Sequence, residues 1–268
     1  MIITNLLEHG SMYALTGAFA GFMAGILGIG GGMIVVPALV YIFHQTHVIP
    51  NFAEMHVAAG SSLAIMIFTA QASVRAHQRQ GEVLWGIYHQ VWPGIIVGTI
   101  AGAIVADLLP THWLKILFGI FLLIIGFKML VNIHVTHPQR FPGTWINRLI
   151  SFLIGLKSGL LGIGGGALIL PYLTYCGVDP KKIPAVSALC TLTVAMIGTI
   201  TFAITGSDEM GLPAYCTGYI YWPAVIWVAI PSVLFAPIGA QLTYSLPVKQ
   251  LKYGFTAILF IAGLDMMF

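Results

Sequence analysis

Apolar positions fall into eight long runs along the chain, at roughly 12–43, 56–74, 85–106, 113–131, 146–176, 183–205, 218–243 and 250–268. A helix needs about 20 residues to cross a bilayer, so every run predicts a membrane helix. The first and fifth runs are too long for a single crossing, and each carries a glycine cluster near its middle. Polar positions collect between the runs, most densely around 132–145, where Pro138, Pro142 and Gly143 mark a linker.

Composition turns these runs into a solvent assignment. Of 268 residues, 58% are hydrophobic and 7% charged, whereas soluble domains carry about 25% charged residues. So few charges cannot make a water-facing surface, and the chain reads as an all-α polytopic membrane protein. A secretory signal needs an early positive region, and the first basic residue is Arg75. Cys176, Cys190 and Cys216 lack metal or redox spacing and read as small buried residues.

The runs repeat. "GILGIGGGMIVVP" from Gly25 returns in the second half as "GLLGIGGGALILP" from Gly159. Gly21 and Pro37 match Gly155 and Pro171 at the same offset; "GSSLA" at Gly60 parallels "VSALC" at Val186. "GAIVADLLPTHWLK" from Gly102 parallels "GAQLTYSLPVKQLK" from Gly239, at a slightly longer offset. The chain therefore divides into a first membrane repeat (1–131), a linker (132–145) and a second membrane repeat (146–268).

Basic residues orient the repeats. Arg75 and Arg79 follow the second run, whereas its counterpart, the sixth, is preceded by Lys181 and Lys182 and followed by Asp208 and Glu209. By the positive-inside rule, equivalent loops lie on opposite faces, which makes the repeats inverted. Inversion requires an odd number of crossings, but each half has four runs. A helical hairpin at each glycine cluster restores parity, leaving three ordinary spans plus one glycine-broken hairpin per half. The N-terminus then lies outside the cytoplasmic membrane, and Lys115 alone among the basic residues sits on the unexpected face.

Backbone broken inside a membrane must line a cavity or be buried in protein. Each cluster opens a short helix, and a helix N-terminus offers free N–H groups and partial positive charge to an anion. Gly30, Gly31, Gly32 and Gly164, Gly165, Gly166 let that anion reach the backbone. Gly21/Gly25 and Gly155/Gly159, spaced by four, suit close helix packing instead.

The doubled motif, "GFMAGILGIGGGMIVVP" and "GLKSGLLGIGGGALILP", each followed by a serine segment ("AAGSSLA", "PAVSALC"), resembles the sulfite exporter TauE/SafE family of membrane transporters. The resemblance covers both halves and implies a carrier of sulfur-containing anions such as sulfite and organosulfonates. It adds Ser61, Ser62 and Ser187 to the substrate-binding candidates; Ala188 stands opposite Ser62, so the serine pair is not symmetric.

Other residues carry weaker signals. Lys157 lies nine residues beyond Arg148, about 13 Å deeper along a helix, and is either a site cation or a snorkelling one. Lys128 and Asp265 are expected as anchors on opposite faces. Gln71, Thr191, Thr193 and Gln241 are polar positions within spans, available to a path or to helix–helix bonds. His44, His47, Glu54 and His56 share the outer face but follow no ligand pattern, so no metal is expected. "GIGGGA" lacks the strand–turn–helix context of a dinucleotide site, and Ser158 lacks a deep histidine base for proteolysis.

The expected function is a secondary transporter holding an anion at the midplane, its inverted halves rocking to alternate access. A passive anion channel or uptake permease on the same site is the alternative. The expected partners are a small anionic substrate and membrane lipid, with a homo-oligomer of the chain left open, no cofactor and no nucleic acid.

Overall fold

The computed structural model describes residues 2–27, 30–79, 84–130, 142–179, 182–242 and 248–267. The ten helices among these residues accommodate the eight apolar runs because the first and fifth are each broken in two. The first becomes α1 (Ile2–Leu27) and α2 (Gly32–Thr46), the fifth α6 (Thr144–Leu161) and α7 (Gly166–Tyr175). The others are α3 (Glu54–Arg79), α4 (Trp85–Leu108), α5 (Thr111–Leu130), α8 (Ile183–Thr205), α9 (Trp222–Leu242) and α10 (Val248–Asp265). Helices dominate because lipid offers no hydrogen-bond partner, so each segment must satisfy its own backbone. Among the described residues, α3, α4, α5, α8 and α9 are long and apolar enough to cross a membrane.

The run at 218–243 starts later than its hydropathy implies. Residues Cys216–Thr217 (β1) and Ile220–Tyr221 (β2) pair antiparallel, Cys216 opposite Tyr221, before α9 begins at Trp222. Left-handed backbone at Tyr215 (φ 72°) and Gly218 (φ 55°) makes this hairpin. Most of the expected linker lies outside the described residues.

α3 and α8 form the centre. In each, 67% of the spanning window is buried, against 39%, 33% and 33% for α4, α5 and α9. The two run antiparallel, with Gly60 facing Phe202 and Gly198 facing Leu63. α5 and α10 are also antiparallel, with Gly119 against Gly263 and Gly126 against Leu259 and Phe260. That direction keeps the exposed Lys128 and Asp265 at opposite ends of their pair.

Two parallel pairs flank the centre. Gly94, Gly98 and Gly102 of α4 lie on the backbones of Arg148, Phe152 and Leu156 in α6. Gly17 and Gly21 of α1 lie on Val228 and Ser232 of α9. Spacing by four puts the glycines on one helix face, and small residues let backbones touch where lipid provides no hydrophobic drive. The contacts are reciprocal: Gly155 against Ile95 and Gly21 against Ser232, Gly102 against Leu156 and Gly239 against Phe22. Each half thus hands its first long helix to the other, and residues 1–131 and 146–268 are interleaved.

A methyl group at Gly98 would overlap the Phe152 carbonyl oxygen, whereas one at Gly86 on the same helix meets nothing within 4 Å. Gly98→Leu should therefore separate α4 from α6 at a cost of about 3 kcal/mol, and Gly86→Ala should be neutral or stabilising. Thermal unfolding of the purified variants checks this, with equal melting temperatures counting against the glycine seam.

Candidate functional site

The two breaks build matching helix starts. Gly31 (φ −74°, ψ −13°) caps α2, and its carbonyl accepts from Ile34 N–H (3.0 Å) and Val35 N–H (2.9 Å). Gly165 (φ −57°, ψ −13°) caps α7 and accepts from Leu168 N–H (3.2 Å) and Ile169 N–H (2.9 Å). Neither start has a side-chain cap. The N–H groups of Gly32 and Met33, and of Gly166 and Ala167, therefore have no acceptor inside their own helices. All four residues are buried.

Left-handed glycines turn the chain into these starts. Gly162 (φ 68°) ends α6, and both it and Ile163 donate N–H to the Ser158 carbonyl. Gly30 (φ 78°) plays a similar part before α2, while Gly28 and Ile29 lie outside the described residues. The chain folds back at the first break: a methyl at Gly31 would sit 3.8 Å from Ala20, eleven residues earlier.

The breaks meet in the interior. A methyl at Gly32 would be 3.1 Å from Ile163 Cα and 3.0 Å from Met66 Cε. One at Gly164 would be 2.6 Å from Thr191 Cγ2, and the Gly164 N–H points at Met66 Sδ (3.2 Å). Met66 lies twelve residues past Glu54, about 18 Å along α3 and near the middle of that helix.

The glycine runs are not uniform. Gly32, Gly162 and Gly164 are needed for close packing, whereas methyl groups at Gly30, Gly31 and Gly165 would have no neighbour nearer than 3.4 Å. Space at the helix starts therefore lies beside Gly31 and Gly165.

The serines divide as well. Ser61 Oγ accepts from Tyr221 N–H (3.0 Å), fastening α3 to the hairpin. Ser62 and Ser187 are buried and their hydroxyls have no partner. At about 100° per residue, Ser62 shares the α3 face of Ala59 and Met66, and Ser187 the α8 face of Cys190 and Thr191. Those neighbours are the ones that touch the breaks. Ser158 joins them: it is 1% exposed, its Oγ is unpartnered, and that oxygen lies 3.9 Å from the methyl position of Gly165. Sequence reading met Ser158 only as a nucleophile without a base, and no base partners it here. Its signal was position, seven residues before the α7 cap.

Lys157 is not brought to the breaks. It is exposed on the α6 face of Leu149 and Leu153, pointing outward. Among the described residues, Glu54 and His56 are the only buried Asp, Glu, Lys, Arg or His side chains. Both lie at the N-terminal end of α3. Positive potential at the breaks comes from the helix starts. Of the polar span positions, Thr191 touches both breaks, Thr193 bonds Leu189 and the Tyr88 hydroxyl (2.8 Å), and Gln71 is exposed. The Gln241 side chain lies outside the described residues.

The histidines at the end of α3 serve structure. Glu54 Oε2 accepts from Lys115 Nζ (2.7 Å), and Glu54 Oε1 lies 3.2 Å from His44 Nδ1. This pair gives Lys115, the basic residue that the expected orientation did not accommodate, a partner at the end of α3. His56 Nε2–H donates to the carbonyls of Ala106 (3.0 Å) and Leu109 (3.1 Å), and its ring lies 5.1 Å from that of Tyr219. Tyr219 donates to Asp107 (2.9 Å); burial, with Asp107 and Glu209 alongside, holds its phenol above the ordinary range and keeps it a donor. No cluster of metal-ligand type occurs among the described residues.

The chain is similar to known membrane transporters over nearly its whole length. The family described as "Sulfite exporter TauE/SafE" matches residues 13–266. A "Probable membrane transporter protein" of Haemophilus influenzae is 32% identical over 94% of this chain and 96% of its own length. Similar proteins from Methanocaldococcus jannaschii (28% identical, 94% of this chain, 93% of its own) and Bacillus subtilis (23%, 94% and 95%) carry the same description. No solved structure matches the chain.

The two lysines should behave differently. Lys115→Ala leaves the Glu54 carboxylate, 1% exposed, without its strongest partner and should cost about 3 kcal/mol. Lys157→Ala should change neither melting temperature nor anion affinity. Parallel melting curves, with and without anion, read both, and a Lys157→Ala protein that no longer responds to anion would return that lysine to the site.

Proposed function

The chain belongs to the sulfite exporter TauE/SafE family and is a multi-pass membrane transporter, not an enzyme; we propose that its cargo is a small sulfur-containing anion, sulfite or an organosulfonate, held near mid-membrane at the starts of α2 and α7. The observation that carries this reading is the pair of buried, uncapped helix starts in uncharged surroundings. A buried donor left unpaired costs about 1–3 kcal/mol. An oxoanion, all acceptor, would relieve several donors at once, and helix starts favour negative charge. The ligands in this reading are the N–H groups at Gly31–Gly32 and Gly165–Gly166, with the hydroxyls of Ser62 and Ser187. Sulfur chemistry and outward direction rest on the family description.

The transporter sits in the cytoplasmic membrane with its N-terminus outside, as two inverted repeats joined by the linker at 132–145. Antiparallel packing of α3 with α8 and of α5 with α10, each helix against its repeat counterpart, supports the inversion. So do the glycine contacts at matched positions of the two halves, Gly21 on Ser232 with Gly155 on Ile95, and Gly102 on Leu156 with Gly239 on Phe22. Access then alternates around the central α3–α8 pair, the anion staying where the breaks meet.

Proteoliposomes containing the protein should take up radiolabelled sulfite saturably, with competition by organosulfonates but not by chloride. Gly31→Leu and Gly165→Leu should abolish uptake without preventing membrane insertion, because leucine fills the space beside each start. Gly165→Ala, whose methyl has room, should insert normally and retain part of the flux. Full flux in both leucine variants would remove the breaks from the transport path.

A further inference from the structure

We propose that the anion between the two starts is held unequally, more tightly at the start of α7, with the Ser158 hydroxyl as one of its ligands. This rests on the reading of the glycine breaks as an oxoanion site and adds to it a residue and an asymmetry.

Hydroxyls in this protein ordinarily find a partner without help. Thr46, Thr99, Ser151, Thr174, Thr193, Thr199 and Thr201 each donate to the carbonyl four residues earlier. Ser151 does so on α6 itself, two turns before Ser158. That bond is the default for a hydroxyl in a membrane helix, yet Ser158 Oγ is fully buried and unpartnered. Its backbone is occupied otherwise: the Ser158 carbonyl takes the N–H groups of Gly162 and Ile163 and so shapes the turn into α7. One residue thus sets the break and presents a donor beside its cap.

The first half has no equivalent. Ala24 occupies the repeat position that matches Ser158, and the nearest atoms to a methyl at Gly31 belong to Val35 and Ala20. Both starts offer N–H groups, but the α7 start adds a hydroxyl. A hydrogen bond to a charged group is worth about tenfold or more in affinity. An oxoanion lying between the two starts is therefore drawn toward α7, where its oxygens accept from Ser158 and from the N–H groups of Gly166 and Ala167.

Ser158→Ala tests the assignment through affinity and through the stability of the empty protein. Removing an orphan buried hydroxyl should leave the melting temperature without anion unchanged or raised. Stabilisation by sulfite should fall, and KM for sulfite uptake should rise about tenfold with kcat within about twofold. A lower melting temperature without anion, together with unchanged KM, would make Ser158 structural and overturn the proposal. Normal affinity in Ser158→Ala alongside lost uptake in Gly165→Leu would also overturn it while sparing the site. If sulfite and organosulfonates neither stabilise nor cross with wild-type protein, the underlying reading falls and the unequal hold falls with it.

Discussion

Everything in this protein turns on backbone polar groups that lie in the interior of a membrane protein without partners of their own. Continuous helices hide such groups; α1 and α6 instead stop, and α2 and α7 restart among buried residues. A helix start exposes up to four N–H groups, and here neither start has a side-chain cap. The only buried carboxylate among the described residues, Glu54, is paired with Lys115, so those donors have to be satisfied by another route. Packing can shield some of them, as Met66 Sδ does for Gly164. A bound acceptor, as proposed, would satisfy the rest.

Glycine serves three separate ends. Along α1, α4 and α6 it removes side chains so that helix backbones can touch. At Gly30 and Gly162 it supplies the left-handed turn that no apolar side chain adopts cheaply. At Gly31 and Gly165 it supplies neither, since φ is negative and a methyl would fit. A glycine with no conformational or packing duty, repeated at both starts, is what an approaching ligand would require. Three adjacent identical letters thus conceal three different jobs.

The architecture was legible because lipid imposes one rule on every segment, and hydropathy reads that rule directly. The breaks were legible because glycine runs conflict with it. The hairpin at 216–221 was hidden at the start of an apolar run, since two-residue strands leave no periodicity and Tyr215 takes a positive φ from its tertiary setting. The outward direction of Lys157 was hidden too: it shares its face with Leu149 and Leu153, whereas the buried face of α6 carries Asn147, Ser151 and Ser158, so polarity alone does not say which side meets lipid. Lys115 made sense only once Glu54, 61 positions away, was found beside it. Ser158 shows the deepest limit. A serine becomes informative when its hydroxyl lacks a partner, and that is a property of every neighbour at once.

The interleaving bears on how access could alternate. If residues 1–131 rocked against 146–268 as rigid bodies, α1 would part from α9 and α4 from α6. Those are the seams where glycines put backbone against backbone, and close packing of that kind resists sliding. The contacts of α3 with α8 are softer, being made through side chains such as Leu63 and Phe202. The stiff units are therefore the two parallel pairs, each with one helix from either half, and the compliant surface is the central pair between them. Each unit also carries one helix that leads into a break, α1 in one and α6 in the other. Movement of a unit about the centre would then move a helix start with it, coupling the site to the motion without any hinge in the linker.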